Sequence, residues 1–387
     1  MEETLLATRA IASVNESEIS FCKFLSANDT GETGAHQAGI YIPKPAVKIL
    51  FDEKFSRGEN HDRWVEIVWH DGKVTNNRFI YYGRSTRNEY RITQFGRGFE
   101  YLSEEHTGDL FVLCKLDSDS YRGFILSTDD EIDAFLSEFA LSPSDTGQLI
   151  SKGVEHLPVD QESKFREFFN QHKLAFPSTS EMSLYARQIE DELHNRARDV
   201  IGDPDRKLLA WNKMEYDLFR FFERCYYETN IGNRKLDVDK FIELANSLLN
   251  RRKSRAGKSL EHHLSHIFTQ NELSFSEQKV TEGNSRPDFI FPGIGAYHNS
   301  NFPLEKLIFL AAKTTCKDRW RQILREADRI PVKYLFTLQQ GISPKQLAEM
   351  EKDNVKLVVP KGNINLFPDP YRPKLMTLLQ FIRLAKQ

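Results

Sequence analysis

The sequence predicts an α+β protein of two domains, the first rich in short strands and the second of the α/β class. The chain has 387 residues, more than a single hydrophobic core usually organises. Residues 18–140 alternate short apolar runs with turn signals, whereas residues 178–387 alternate helical patterns with a few apolar strands. We therefore expect domains at residues 1–175, including a linker, and 176–387.

The first domain is predicted from short runs of β-forming residues, among them GIYIPK, WVEIVW, RFIYYG, LFVLCKL and GFILST. Turn signals such as NDTGETG, HDG and DSDSYRG separate them. Strands this short and evenly spaced are typical of a sandwich or barrel rather than of βαβ units. A helical pattern, DDEIDAFLSEF, follows them.

The second domain is predicted to begin at a capping box formed by Ser178 and Glu181. Helical patterns continue through WNKMEYDLFRFFERCYYE and VDKFIELANSLLNRRK. Apolar strands follow in PDFIFPG, LIFLAAKTT, YLFTLQQ and VKLVVP, with helices predicted at DRWRQILREADRI, SPKQLAEMEKDN and the C-terminus. Helices around a few apolar strands indicate an α/β domain.

Composition narrows the class of protein. The mean hydropathy is -0.53 and no run of about 18 apolar residues occurs, which argues against a membrane span. The opening MEETLLATRA carries acids where a secretory signal has basic residues, and the four cysteines form no CxxC pair. We expect a cytoplasmic protein without a membrane partner.

The net charge of -3 hides three basic clusters. They lie at residues 84–97, at residues 251–258 and at residues 317–329. Dense Lys and Arg neutralise phosphates and release counterions, so clusters on both predicted domains favour DNA as the partner. The alternative for each cluster is a solvated face or a set of intramolecular ion pairs.

Two nearby motifs do not meet the requirements of the chemistry they suggest. Gly257-Lys258-Ser259 lacks the glycine that a phosphate-binding loop needs at position 252, so no nucleotide cofactor is expected. His262, His263 and His266 lie on one predicted helix, and His262 and His266 share a face of it, but without the HExxH pattern of zinc proteases. We expect these histidines to face solvent or DNA.

The strongest constellation joins an acid and a base at the ends of two predicted strands. Asp288 precedes FIF, and Lys313 ends an apolar strand 25 residues later. Such a pair can hold Mg²⁺ through oxygen and position a water against a phosphodiester. The usual second acid would stand at Ala311, so Glu326 is the candidate for that role. A helix cap or a surface ion pair is the alternative for an Asp and a Lys in these places.

A run suited to base reading follows the lysine strand. Lys317 and Arg319 donate to the guanine edge, and Asp318 accepts from cytosine N4, so the run suits consecutive G·C pairs in the major groove. Base reading this close to a hydrolytic lysine indicates a site-specific nuclease.

Long strings of the chain resemble the EcoRII family of restriction endonucleases. They include LSANDTG, TRNEYRIT, ANSLLNRRKSRAGKSLE, TEGNSRPDF, GAYH and KTTCKDRWRQIL. The resemblance implies an N-terminal effector domain, a DNA-binding β-pseudobarrel, and a C-terminal PD-(D/E)XK nuclease domain. It also implies a homodimer that uses Mg²⁺ and cleaves double-stranded DNA at a CCWGG-type site, leaving 5'-phosphates. Cleavage would require a second copy of the site on the effector domain, which would otherwise cover the nuclease cleft.

The same resemblance assigns site residues. Asp288, Lys313 and Glu326 match the catalytic positions, with Asp288 and Glu326 as metal ligands, and Glu261 matches an additional acid. Tyr297, with His298, matches a stretch associated with the active site, although loop packing is an equal alternative.

The resemblance assigns effector contacts to Lys23, to His36 and Gln37, and to residues 84–97. From residue chemistry, the best base readers there combine donors with an acceptor. The expected DNA-binding residues of the effector domain are Arg84, Arg87, Asn88, Glu89, Arg91 and Arg97. The expected phosphate-binding residues are those of the second basic cluster: Arg251, Arg252, Lys253, Arg255 and Lys258. Two other classes remain open: a site-specific DNA-binding regulator with an inactive nuclease fold, and an NTP-driven enzyme.

Overall fold

The computed structural model describes residues 3–31, 39–151, 157–231 and 237–387. Within these ranges no helix is long and apolar enough to cross a membrane. The chain forms a β-rich N-terminal part and a C-terminal part of helices around a second sheet, so the predicted α+β class is confirmed.

The N-terminal part is built on one curled sheet. Its order is β2-β5-β4-β3-β7-β6-β1-β8, antiparallel except between β3 and β7. The strands are β1 (Ile19–Phe24), β2 (Ile40–Ile42), β3 (His61–Trp69), β4 (Val74–Tyr82), β5 (Glu89–Thr93), β6 (Leu110–Lys115), β7 (Ser120–Leu126) and β8 (Gln148–Leu149). The 3-10 helix Lys44–Ile49 contacts β1, β5, β6 and β8. Strands from both ends of the order therefore enclose one core, as a barrel requires.

Two helices cover the outer face of β6 and β7. They are α1 (Glu3–Glu16) and α2 (Asp129–Glu138), which pack through Val14, Phe124 and Phe135. Thr128 and Glu131 form a capping box at the start of α2, and three acids in its first turn suit the positive end of the helix dipole. This acidic helix end points to the C-terminal part.

The C-terminal part begins with a bundle of helices. Phe165, Phe168, Met182 and Leu218 form its core, and the predicted capping box at Ser178 is present. The helices of the C-terminal part are α3 (Val159–His172), α4 (Thr179–His194), α5 (Asp199–Gly202), α6 (Pro204–Ile231), α7 (Val238–Gln270), α8 (Ile294–His298), α9 (Pro344–Lys352) and α10 (Leu378–Ala385). Helix α3, on the first-domain side of the expected boundary, packs with α4 and α6. The boundary itself stays a prediction.

A five-stranded sheet lies behind this bundle in the order β13-β12-β11-β10-β9. The strands are β9 (Ser276–Glu277), β10 (Phe289–Phe291), β11 (Ile308–Lys313), β12 (Lys333–Thr337) and β13 (Val355–Val358). Strands β9 to β11 pair antiparallel and β11 to β13 parallel. Phe268 and Phe381 cover one face, whereas Trp320 and Leu347 cover the other, which explains the continuous apolar strands.

One predicted helix has a different form. The segment DRWRQILREADRI forms a 3-10 helix, Arg319–Arg325, instead of an α-helix. Glu326 is already extended and Ala327 is left-handed (φ 48°), so the helix ends there. The prediction that Glu326 lies on a helix is wrong; it lies in the turn after one.

Candidate active site and its partner surface

Asp288 and Lys313 meet at the edge of the central sheet, because β10 and β11 pair antiparallel with Phe289 opposite Leu310. The Asp288 Oδ2 accepts the backbone N–H of Ala312 at 2.8 Å and lies 3.6 Å from the Lys313 Nζ. Asp288 is buried, while Lys313 is half-buried at the surface of a cleft. The strand pairing thus sets the spacing of the two groups.

Glu261 reaches the same place from α7. Burial, reinforced by the charge of Asp288, raises the pKa of Glu261 to about 7. The side-chain amide of Gln278 donates to Asp288 Oδ1 at 2.7 Å and to Glu261 Oε2 at 3.3 Å. The sequence prediction included Glu261 and missed Gln278, whose only sequence signal is its place ten residues before the aspartate.

Glu326 approaches from the turn after the 3-10 helix. Burial raises the pKa of Glu326 to about 7, with Asp288 adding to the rise and Lys313 opposing it. The Lys333 Nζ donates to the backbone carbonyls of Glu326 and Ala327. Lys333 is buried over the Phe309 ring, so it fixes this turn from inside the domain.

The donor set fits a hard divalent cation. Within the described residues, no group of three or more His, Cys, Asp or Glu side chains is arranged around an ion position. Mg²⁺ needs only one or two carboxylates, because it retains waters and takes substrate phosphate oxygens. Asp288 and Glu326 supply that number of carboxylates, and the charges of both Asp288 and Lys313 act on Glu326.

Tyr297 lies away from this pair. Its hydroxyl donates to the Glu282 carboxylate at 2.5 Å and accepts the backbone N–H of Arg329 at 3.3 Å. The Arg329 guanidinium binds carbonyls after α8, including those of Asn299 and Phe302. These contacts correspond to the packing alternative, and the hydroxyl makes none of its described hydrogen bonds to the catalytic candidates.

The run Lys317-Asp318-Arg319 is occupied by the N-terminal part. The Asp129 carboxylate accepts the backbone N–H groups of all three residues, at 3.1, 2.7 and 2.9 Å. The Arg319 guanidinium pairs with Asp133 and, at 2.8 Å, with Asp130.

Lys317 pairs with Asp109, whose carboxylate also contacts His106 at 2.7 Å. Burial lowers the pKa of Lys317 to about 8, which leaves the ammonium mostly charged at neutral pH. The expected base readers therefore have protein acids as partners in this arrangement. Sequence reasoning missed this partner surface, although the acid run at the start of α2 was visible.

A cavity of about 640 Å³ separates the two parts. Glu261, Lys313 and Arg319 lie on its nuclease side, and Asp133 and Leu136 of α2 lie on the other. This volume suits a small molecule rather than a duplex.

The basic cluster at 251–258 divides into two kinds of residue. Lys253 and Lys258 are exposed, as phosphate contacts require. Arg255 is 4% exposed and forms a buried ion pair with Glu215. The expected contact with phosphate is therefore wrong for Arg255 in this arrangement, because its guanidinium lies inside the core.

Its two neighbours are also engaged within the protein. Arg252 pairs with Glu223 and donates to the Glu138 carbonyl, whereas Arg251 donates to the Tyr227 hydroxyl at 2.7 Å and stacks on Phe176. Both are half-buried, so neither is a free phosphate ligand in this arrangement.

The histidines of the same helix are likewise not on a free surface. His263 is fully buried and its Nε2 lies 3.0 Å from Glu215. His262 and His266 are half-buried, and burial lowers the pKa of both. The expectation that this group faces solvent or DNA is wrong for His263, because a carboxylate inside the bundle holds it.

The expected DNA-binding residues of the effector domain fall into an exposed group and a buried group. Arg84, Arg87 and Arg97 are exposed on the loops beside β5. Lys23 and Arg91 are buried: Lys23 pairs with Asp29 at 2.6 Å.

The remaining effector candidates lie close to these. Arg91 donates to the Gly39 carbonyl at 3.2 Å, so it and Lys23 hold the fold rather than face DNA in this arrangement. Asn88 accepts from the Tyr81 hydroxyl at 3.1 Å, and Glu89 lies beside Arg91. His36 and Gln37 lie outside the described residues.

The comparisons with known proteins match both parts of the chain. Residues 14–147 match the family described as "Restriction endonuclease EcoRII, N-terminal", and residues 219–382 match "EcoRII C terminal". The chain is 41% identical to the Type II restriction enzyme EcoRII of Escherichia coli over 95% of its length and 94% of the relative's. The chain belongs to the EcoRII family of Type II restriction enzymes.

More distant relatives cover less of the chain. The Type II restriction enzyme SsoII of Shigella sonnei is 26% identical over 46% of this chain and 55% of its own. A solved complex of metal-depleted Ecl18kI with uncleaved, modified DNA has 20% identity, 60% and 84% coverage of the two chains and a TM-score of 0.45. A PspGI–substrate DNA complex has 15% identity, 55% and 93% coverage and a TM-score of 0.45.

Membership of the EcoRII family agrees with the architecture. The family's N-terminal match covers strands β1 to β7 of the curled sheet and the whole of α2, and its C-terminal match covers the second sheet with Asp288, Lys313 and Glu326. The predicted fold class and the predicted restriction-enzyme class are both confirmed.

Proposed function

We propose that this protein hydrolyses double-stranded DNA at a CCWGG-type site, leaving 5'-phosphates, with Mg²⁺ as the cofactor. The observation that carries the proposal is the Asp288–Lys313 contact at a sheet edge, four residues before a run of base-reading side chains. Restriction endonucleases of this fold generally use divalent metal ions, and the two carboxylates here suit Mg²⁺.

Each side chain of the site has a distinct task in this proposal. Asp288 and Glu326 would hold the cation, which supplies Lewis-acid stabilisation of the phosphate charge when bound. The Lys313 ammonium orients the attacking water and stabilises the charge that develops on the phosphoryl oxygens. Glu261 adds a carboxylate at the same cleft, and its raised pKa of about 7 allows it to exchange a proton near neutral pH.

Specificity would come from Lys317, Asp318 and Arg319, which reach base edges once the N-terminal part leaves them. Lys253 and Lys258 are exposed and suit phosphate contacts. On the effector part, the exposed Arg84, Arg87 and Arg97 suit a second DNA copy.

We infer that the N-terminal part acts as an inhibitor of the nuclease until it binds DNA. Helix α2 places acids against base-reading cations, so protein carboxylates occupy the place of DNA. The surface formed by Lys317, Asp318 and Arg319 cannot bind α2 and DNA at the same time. The single guanidinium of Arg319 already pairs with acids of α2, and the Asp129 carboxylate accepts the backbone N–H groups of all three residues. A second DNA site on the effector part would favour the separated arrangement by mass action.

The proposal includes a cytoplasmic homodimer with domains near residues 1–175 and 176–387. A duplex cut on both strands needs two active sites, and this chain carries one set of Asp288, Lys313 and Glu326. Two-fold symmetry of a dimer would match a nearly palindromic target.

The direct test uses Mg²⁺ and plasmids that carry no, one or several CCWGG sites. We expect cleavage at these sites only, with slow cleavage of one-site plasmids and fast cleavage of multi-site plasmids. Cleavage elsewhere, or none, would disprove the proposed target. Equal rates for one and several sites would disprove activation by a second copy.

A further inference from the structure

Gln278 occupies an unusual backbone position beside the candidate metal site. It follows β9 directly and has a left-handed conformation, with φ 49°. Its backbone N–H donates to the Pro287 carbonyl at 3.1 Å. A residue with a Cβ adopts this conformation at a cost, and it persists where surrounding contacts hold it.

The conformation aims the Gln278 side chain at two carboxylates. Its Nε2 lies 2.7 Å from Oδ1 of Asp288, which directly precedes β10, and 3.3 Å from Oε2 of Glu261, on α7. One neutral amide with two N–H groups therefore bridges two acids that come from different elements. Without this bridge, the two carboxyl groups would have no shared donor among their described side-chain contacts.

The bridge leaves Asp288 able to bind a cation. Its Oδ2 accepts the Ala312 backbone N–H at 2.8 Å, and its Oδ1 accepts the Gln278 amide at 2.7 Å. A carboxylate has about four lone-pair positions, so positions on both oxygens stay available. The two hydrogen bonds fix the rotation of the carboxylate, as outer partners commonly do for metal-binding side chains.

We propose that Gln278 is a positioning residue of the metal site, which orients Asp288 and ties Glu261 to it before the cation arrives. This inference rests on the proposed Mg²⁺-dependent function. Gln278 acts through the two carboxylates and does not take part in the reaction itself.

The test is Gln278→Met, because methionine keeps the length and the unbranched shape of glutamine but cannot donate. Loss of an outer hydrogen bond of this kind typically weakens metal affinity by about 10–100-fold. We expect this loss in Ca²⁺ binding to the enzyme–DNA complex measured by calorimetry, and the same shift in the Mg²⁺ concentration for half-maximal cleavage. At saturating Mg²⁺ the cleavage rate should return close to that of the parent, and DNA binding without metal should not change.

Ser265→Ala is the matched control. The Ser265 hydroxyl donates to Glu277, so this variant removes the neighbouring contact between α7 and β9 without touching Asp288 or Glu261. It should keep the parent's metal affinity. If it loses affinity as strongly as Gln278→Met, the contact between α7 and β9 is the cause and the proposal is wrong.

A second variant covers the case in which Gln278→Met does not fold. Gln278→Asn keeps the amide but withdraws it by one methylene, and the same loss of Ca²⁺ affinity is expected. Unchanged calorimetric affinity in a folded variant overturns the proposal, as does a lower rate at saturating Mg²⁺ with unchanged half-saturation. A parent enzyme that neither binds divalent metal nor cleaves DNA instead overturns the proposed function.

Discussion

Asp129 is the centre of the contact between α2 and the backbone of Lys317, Asp318 and Arg319. If this contact closes the nuclease cleft, as the proposed function holds, removal of the carboxylate should open it. Asp129 is 2% exposed, and its carboxylate accepts the backbone N–H groups of Lys317, Asp318 and Arg319 at 3.1, 2.7 and 2.9 Å. The contact is reciprocal, because the Asp129 N–H points at Asp318 Oδ2 at 3.4 Å. We predict that Asp129→Ala raises cleavage of DNA with a single target site.

The size of the effect follows from these hydrogen bonds. A hydrogen bond to a charged group contributes roughly 1.5–3 kcal/mol net of hydration. The three bonds share one carboxylate and are not additive, so we take about 3 kcal/mol for the set. Because about 1.4 kcal/mol corresponds to a tenfold change, the closed arrangement should lose roughly 100-fold in its equilibrium constant.

The assay compares initial cleavage rates of one-site and multi-site plasmids. The one-site rate should rise up to about 100-fold, limited by the fully activated rate, while the multi-site rate stays close to that of the parent. Asp130→Asn is the control: the Asp130 side chain is 74% exposed, and an exposed ion pair is worth about 1 kcal/mol at most. It should change the one-site rate by about fivefold or less.

Two measurements separate domain opening from damage to α2. Asp129 lies in the first turn of that helix, so its removal also costs a few tenths of a kcal/mol through the helix dipole. Thermal unfolding of the variant reports this loss, and limited proteolysis with and without target DNA reports the opening. A folded Asp129→Ala enzyme with the parent's one-site rate would refute the reasoning.

Four other predictions concern the active site and the turn that carries Glu326. Lys313→Ala should abolish cleavage without weakening DNA binding, whereas Arg319→Ala should weaken binding to the target by about 1–3 kcal/mol. Gel shifts and cleavage assays on the same DNA distinguish the two variants. An equal loss of DNA binding in the two variants would contradict the division of roles. The raised pKa values of Glu261 and Glu326, both about 7, mean that protons compete with metal below neutral pH. Calorimetric metal affinity should therefore rise with pH through about 7, and a flat profile from pH 6 to 8 would be inconsistent with these values. In the metal-free protein, the unfolded state ionises these acids first, near 4.5, so their contribution to stability falls between about pH 4.5 and 7. Lys333→Met should leave the backbone carbonyls of Glu326 and Ala327 without their donor and lower the free energy of unfolding by about 2–3 kcal/mol. Denaturant titration measures this loss. A loss below about 0.5 kcal/mol would mean that the Glu326 turn does not depend on the Lys333 ammonium.

Local patterns were sufficient for much of the architecture. The helical pattern from Asp129 and the capping box at Ser178 mark helices that begin where expected, and the apolar strands at Phe289 and Leu310 pair as neighbours. These features depend on residues close in sequence or on strand-end chemistry, so periodicity and residue type predict them.

Features of the site that depend on distant contacts were not predictable in this way. Charge alone favoured Arg255 as a phosphate contact, yet it is buried against Glu215, 40 positions earlier on another helix. Gln278 had no motif, because its role depends on a left-handed backbone angle that brings its amide between two carboxylates. Such pairings are set by packing of elements, which single-residue properties do not encode.

The sequence alone determined the two-part α+β class and the acid–lysine pair at adjacent strand ends, because both rest on local chemistry and spacing. It also predicted base reading by Lys317, Asp318 and Arg319, and that role stays a prediction. Only the tertiary structure decided which groups of the protein bind these three residues. It places the acids of α2 against Lys317, Asp318 and Arg319, some 190 residues later in the chain, with the cleft closed between them. Opposite charges far apart in sequence have no preferred partners until the fold brings them into contact. Burial then strengthens their attraction, because the effective dielectric constant is lower there than in water.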